Sequence, residues 1–210
     1  MPQPPLHLRL VNNTGQDRRV IVYQDNVAAE PPDSPMLYVW DSRLLQGGGG
    51  QGILALPTTF EVAGMTGAPP DYSLSAPMPG QYGQGWALQQ DSPEEVLRLI
   101  PSTDPASANA VQVENTVIFA RRSAVILKER RLLFGAELVP FARASFTVES
   151  SFWVALSELR RGDPLSPSAL PSQRCQVTYA EPSGITEYVV TLNEKTSTGE
   201  VVFTVTTHSL

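Results

Sequence analysis

The chain is predicted to fold as an all-β protein, an antiparallel β-sandwich with long Pro- and Gly-rich loops and at most one or two short helices. Three observations predict this. Apolar and polar residues alternate with a period of two along much of the chain, and the alternating runs are short and separated by turn residues. The 210 residues also include 19 prolines and 15 glycines, which interrupt longer elements. Roughly ten or more short strands with turn signals between them suit two packed antiparallel sheets. A chain of this length is read as one domain, residues 1–210, able to bury enough surface to fold without disulfide or metal. No segment repeats with a period of about 20 to 50 residues, which speaks against a solenoid or propeller.

The elements follow in order. In LHLRLV (6–11) Leu6, Leu8 and Leu10 point one way and His7 and Arg9 the other; NNTGQD then supplies turn chemistry before RRVIVYQ (18–24), so a β-hairpin is expected. A Pro-rich loop over 28–35 precedes a strand MLYVWDS (36–42), and QGGGGQG (46–52) reads as a flexible connection. ILALPTTFEVAG (53–64) offers one or two strands broken at Pro57, GAPPDYSLSAPMPGQYGQG (67–85) a long loop, and GWALQQ (85–90) a strand. SPEEVLRLI (92–100) carries a capping box, with Ser92 as N-cap, Pro93 at the first helical position and Glu95 three residues after the cap. A short helix is expected there, although the same residues also alternate, and Pro101 ends either element.

The second half is richer in strand signal: AVQVE (110–114), TVIFA (116–120), SAVILKE (123–129), RLLFG (131–135), RASFTVE (143–149), RCQVTYA (174–180), ITEYVVTL (185–192) and EVVFTVTT (200–207). SFWVALSE (151–158) could open a helix capped by Gly162, but its aromatic and β-branched residues favour a strand.

Charge narrows the function classes. The net charge is −6, yet only 17% of residues are charged, below the roughly 25% of ordinary soluble domains. A surface poor in charge is weakly protected against self-association, so a homo-oligomer or larger assembly is expected. Positive charge is concentrated at Arg121, Arg122, Lys128, Arg130, Arg131 and Arg143, against Glu129 and Glu137 in the same stretch. The first five are read as candidate interface residues for another copy; the plainer reading is a set of solvated strand-end cations. The overall acidity argues against nucleic acid, which needs a basic footprint. No apolar run approaches the ~20 residues of a membrane span. MPQPPLHLRLV lacks the features of a signal peptide, so cytoplasmic synthesis is expected, with non-classical release left open.

The search for chemistry yields no catalytic, cofactor-binding or metal-binding constellation. Cys175 stands alone, unable to form an intramolecular disulfide, and is read as a small strand residue rather than a reactive thiol. The two histidines, His7 and His208, lie near opposite ends with no HxH or HExxH spacing, and are read as strand fillers, although terminal strands can pair. Gly47, Gly49 and Gly52 formally match GxGxxG, but a strand-like ILALP follows where a dinucleotide site needs a helix N-terminus. There is no phosphate loop and no GxSxG elbow, and the adjacent Glu94 and Glu95 are read as a solvated pair. Among the aromatics, Trp40 and Trp153 are assigned to the core. Tyr72, Tyr82 and Trp86 are the candidate ligand-binding residues, a platform on which the C–H faces of a carbohydrate could stack.

LRLVNNTGQDRRVIVYQ, followed by MLYVWDS, resembles the opening of the rhizosphere-induced protein (RhiA) family, in which an LVNNS segment leads to a VYQ or VFQ strand and then to a segment ending in Trp. ESSFWVALSELRRGDPLS is similar to that family's aromatic strand and glycine turn; Ser157 stands where the pattern has glycine, and QGGGGQG departs from it. The resemblance implies a bacterial, β-rich accessory protein of uncharacterised activity, with no catalytic residues to carry across. The expectation is therefore a non-enzymatic β-sandwich that acts by association, as a self-assembling or multi-copy structural component. A lectin-like module and a hydrolase without a recognisable motif are the alternatives.

Overall fold

The computed structural model describes residues 6–25, 35–166, 168, 170–179 and 184–209. Among them the chain forms nineteen strands, β1 to β19 in chain order, and no α-helix. Period-two alternation is the cause: β1 (Leu6–Asn12), β11 (Val111–Asn115) and β18 (Ile185–Glu194) bury every second residue, so each presents one face to a core.

The strands build four sheets. Sheet I runs β19 (Val201–Ser209), β18, β1, β5 (Gly50–Leu56). Sheet II runs β17 (Arg174–Thr178), β15 (Ser151–Leu156), β2 (Arg18–Tyr23), β4 (Asp41–Leu45). Sheet III runs β16 (Pro164–Leu165), β3 (Pro35–Tyr38), β13 (Arg131–Leu138), β12 (Arg122–Lys128), β6 (Glu61–Ala68), β7 (Asp71–Leu74), with β8 (Met78–Pro79) also on β6. Sheet IV runs β10 (Arg98–Pro101), β9 (Gly85–Gln89), β11, β14 (Arg143–Phe146). Sheets III and IV face each other: Phe134 meets Phe146 at 6.0 Å, and a Cβ on Gly64 would strike the side chains of Leu88 and Leu97. Sheets I and II meet where Gly52 abuts Leu45 and Arg43. One hydrophobic cluster runs through both pairs, so the sandwich class expected from the alternation is what forms.

The two pairs of sheets are built on one plan. In sheet I the contacts β19/β18, β18/β1 and β1/β5 are antiparallel, parallel and antiparallel; β10/β9, β9/β11 and β11/β14 in sheet IV repeat that series. The all-antiparallel run β17, β15, β2, β4 of sheet II has its counterpart in β7, β6, β12, β13 of sheet III. Asn12 and Asn115, which end β1 and β11, are both fully buried and do the same work. The Asn12 amide donates to the carbonyls of Leu45 (3.0 Å) and Gln16 (2.8 Å), and its Oδ1 accepts from the Thr14 amide (3.1 Å). The Asn115 amide donates to Leu138 (2.9 Å) and Ala120 (3.1 Å), and its Oδ1 accepts from the Val117 amide (3.0 Å). An arginine pair follows each asparagine at the same spacing, Arg18 and Arg19 in one case and Arg121 and Arg122 in the other. The architecture is a structural duplication, one strand-pairing plan used twice, whose halves are interleaved along the chain: the first and last strands form one unit, and the middle strands form the other.

Several expectations are corrected. The segments 6–11 and 18–24 are both strands, but not a hairpin: β1 lies between β18 and β5, and β2 between β15 and β4, so the turn after Asn12 arches from one sheet to the other. MLYVWDS is two strands in different sheets, parted at Val39 and Trp40. The glycine run is an ordered turn leading into β5. A Cβ on Gly47 would lie 2.9 Å from the Gln16 nitrogen, and one on Gly50 2.4 Å from the Gln46 carbonyl, so close backbone packing requires the glycines. TVIFA is a loop outside the sheets, and the long loop after Ala68 contains β7 and β8. SPEEVLRLI makes one turn, with the Glu95 amide on the Ser92 carbonyl (3.2 Å), and then extends into β10 because Leu97 and Leu99 are both drawn into the core. Most of the Pro-rich loop at 28–35 lies outside the described residues.

The two units are joined by β3 and β16, which leave the first unit to extend sheet III along β13. At this joint the Trp40 indole donates to the Lys128 carbonyl (3.0 Å), and the Arg131 guanidinium bonds the buried Asp41 carboxylate (2.6 Å). The Lys128 ammonium lies 4.8 Å from the ring centre of Phe152 and donates to the Tyr179 hydroxyl (2.8 Å).

Candidate functional site

Most sheet edges are blunted by charge, proline or brevity, which is how β-proteins discourage edge pairing. Charge marks β4 at Asp41 and Arg43, β14 at Arg143 and β17 at Arg174; β10 carries Arg98 and Pro101, β7 is four residues and β16 two. The exception is β19. It is nine residues long, VVFTVTTHS, with no Asp, Glu, Lys, Arg or Pro, and among the described residues it pairs only with β18. Its residues from Thr204 to Ser209 are exposed on both faces, so the row of backbone groups on its outer side faces solvent. β5, at the opposite end of sheet I, is also uncharged, but it is shorter, at seven residues, and one of its faces packs on β4, with Gly52 against Leu45 and Arg43.

The register of sheet I places His7, Glu187 and His208 in one row across β1, β18 and β19. The histidines at the two ends of the chain are thus brought to one carboxylate, which Arg9 already holds through Nε (2.9 Å) and Nη2 (2.8 Å). No group of three or more His, Cys, Asp or Glu side chains suited to a metal occurs among the described residues.

The aromatic trio is dispersed. Trp86 is 2% exposed and its ring offers no face to solvent. Tyr82 packs its ring 5.5 Å from Phe60 and donates its hydroxyl to the Val148 carbonyl, and burial raises its pKa above the usual phenol value. Tyr72 lies on β7, exposed beside Thr66 and Ser73. Of the five candidate interface cations, Lys128 is 2% exposed and reaches no surface. Burial brings its pKa down to about 8. Arg131 is held by Asp41 and stacks over Trp40, Arg121 pairs with Glu137 (3.1 Å), and Arg122 bonds the Gln90 side chain (2.8 Å). Arg130 occupies a left-handed turn position, its amide donating to Glu61 (3.1 Å). Most of the basic run is therefore consumed within the chain. Cys175 sits half-buried on β17, where burial pushes its thiol up to about 12.

The signal that could have found β19 is visible in the sequence, as the longest late stretch of alternating Val and Thr without charge. That it is an edge, and which edge, is decided by its pairing. No protein-family model, no curated protein and no solved structure matches the chain, and the functional reading rests on these residues and their geometry.

Proposed function

We propose that the protein acts by association with further copies of itself, as a multi-copy component without a catalytic step, and that β19 is the contact. The observation that carries this reading is β19, the longest uncharged edge strand among the described residues, in a molecule whose edges are mostly blunted. An exposed edge of this kind recruits another strand through main-chain hydrogen bonds. A second β19, running antiparallel about a two-fold near Thr206, meets it with no like-charge repulsion and joins two copies of sheet I into one continuous sheet. The sparse overall charge favours the same outcome.

The test is the mass in solution by size-exclusion chromatography with light scattering, over a range of concentrations. Wild-type protein is expected to shift toward dimer or larger as concentration rises, and the variant Thr204→Lys with Thr206→Lys to remain monomeric, because edge lysines oppose strand pairing. A wild-type protein that stays monomeric at the highest concentration, or a lysine variant that associates equally well, overturns the reading.

A further inference from the structure

Four arginines converge in one place, two of them without an ion-pair partner among the described residues. Arg19 on β2, Arg43 on β4, and Arg160 and Arg161 on the turn after β15 line an open groove of about 630 Å³ together with Asp41 and Ser42. In the β2/β4 register Arg19 lies opposite Leu44 and Arg43 opposite Val20, so the two side chains leave opposite faces of the sheet at its β4 edge, where both residues line the groove. The turn is fastened to the sheet by its backbone. The Gly162 amide donates to Val39 (2.8 Å), the Val39 amide to Asp163 (3.0 Å), and the Arg161 amide to Ser42 Oγ (3.1 Å). Asp163 accepts the Arg160 amide (2.7 Å), and Gly162 supplies the left-handed residue that the turn needs. The two guanidiniums thus project from a rigid support.

The charge balance is one-sided. Asp41, the only acid among the described residues of the lining, is 4% exposed in its side chain and already bonded by Arg131 (2.6 Å) as well as by Arg43 (3.4 Å). Among the described residues Arg19 has one ion-pair partner, the exposed Glu158, at 3.9 Å. Among the described residues the side chains of Arg160 and Arg161 form no ion pair. The other half of the duplication supplies the contrast: Arg122, the counterpart of Arg19, is taken up by the Gln90 side-chain oxygen, in a recess lined also by Leu74 and Leu97. A protein of net charge −6 gains nothing in folding from bringing four guanidiniums together.

We propose that this groove binds a small ligand bearing two or more phosphate or sulfate groups. Guanidinium forks match the oxygens of such groups bidentately, and several forks around one groove select for multiple charge. The size of the groove suits more than a single inorganic ion.

The test is titration calorimetry at low, matched ionic strength with inorganic phosphate, pyrophosphate and a disulfated disaccharide. Pyrophosphate or the disaccharide is expected to bind at least about tenfold more tightly than phosphate, and whichever is tighter assigns the ligand to the phosphate or the sulfate class. The variant Arg160→Gln with Arg161→Gln keeps the backbone bonds of the turn and is expected to weaken binding at least about tenfold, while Arg121→Gln, whose partner Glu137 lies elsewhere, leaves it unchanged. Thermal melts of both variants establish that they are folded. Failure of both pyrophosphate and the disaccharide to bind at millimolar concentration, or equal affinity in the Arg160/Arg161 variant, overturns the proposal.

Discussion

Phe141 and Gly49 hold the same place in the two halves of the molecule. The Phe141 amide donates to the Asn115 carbonyl at 2.7 Å, and the Gly49 amide donates to the Asn12 carbonyl at 2.7 Å. Both backbones are left-handed, with φ of 65° at Phe141 and 105° at Gly49. Glycine accepts such angles freely, whereas a residue with a Cβ is strained there by about 1–2 kcal/mol. Phe141 is 66% exposed, so its ring recovers little of that through burial.

Phe141→Gly is therefore expected to stabilise the protein by about 0.5–1 kcal/mol, the strain relieved exceeding the added freedom of the unfolded chain. Urea denaturation reads this directly, and a variant less stable than wild type would mean that the ring makes a stabilising contact. The same comparison marks the surface. The loops around Asn12 are NTGQD and QGGG, whereas those around Asn115 expose Ile118, Phe119, Val139 and Phe141. The shared framework does not require that apolar group.

Replacing either asparagine tests the duplication itself. Asn115→Ala leaves two carbonyls and an amide without that partner, and Asn12→Ala three carbonyls, an amide and the Thr14 hydroxyl, at a cost of about 2–3 kcal/mol in each case. Chemical denaturation of both variants is expected to give similar losses. A loss at one site and none at the other would show that the two nodes are not equivalent.

Lys128 makes stability depend on pH. Its folded pKa is about 8 against an ordinary 10.5, so between these values the unfolded chain holds more protons, and stability rises with pH across that window. The full penalty of the buried charge, on the order of 3 kcal/mol, applies below pH 8. Cys175 acts in the opposite sense above its ordinary pKa of 9, since its folded thiol keeps the proton to about 12. Tyr23, Tyr38 and Tyr82, all raised by burial, do so above 10. The lysine is isolated by comparing wild type with Lys128→Met, which preserves the packing against Phe152 and is expected to be more stable by about 1–3 kcal/mol at pH 7. That advantage is expected to shrink as pH rises from 8 to 10.5; a constant advantage would show that the lysine is not titrating in the fold.

Cys175 is expected to resist alkylation. With the thiol protonated at neutral pH and half-buried on β17, iodoacetamide should modify the native protein at least about tenfold more slowly than the urea-unfolded chain at pH 7.5. Equal rates would place the thiol in an open, ionised site.

Alternation along Leu6–Asn12, Val111–Asn115 and Ile185–Glu194 was enough to predict strands, because a period of two places one face inward whatever the partner. The sparse charge and the lone cysteine were equally open to reading. Partners were not. Adjacent strands in sequence suggest a hairpin, yet β1 and β2 belong to different sheets, since each finds a better-matched neighbour more than a hundred residues away in β18 and β15. The duplication was obscured because its equivalent residues are mostly interchangeable apolar side chains, with only the asparagine and the arginine pair recurring at matched spacing. The same limit applied to the cations: Arg121, Arg122 and Arg131 cluster in sequence but disperse onto Glu137, Gln90 and Asp41, while Arg19, Arg43, Arg160 and Arg161 are scattered in sequence and meet in space. Local pattern determines which way a side chain points, and long-range pairing decides what it finds there.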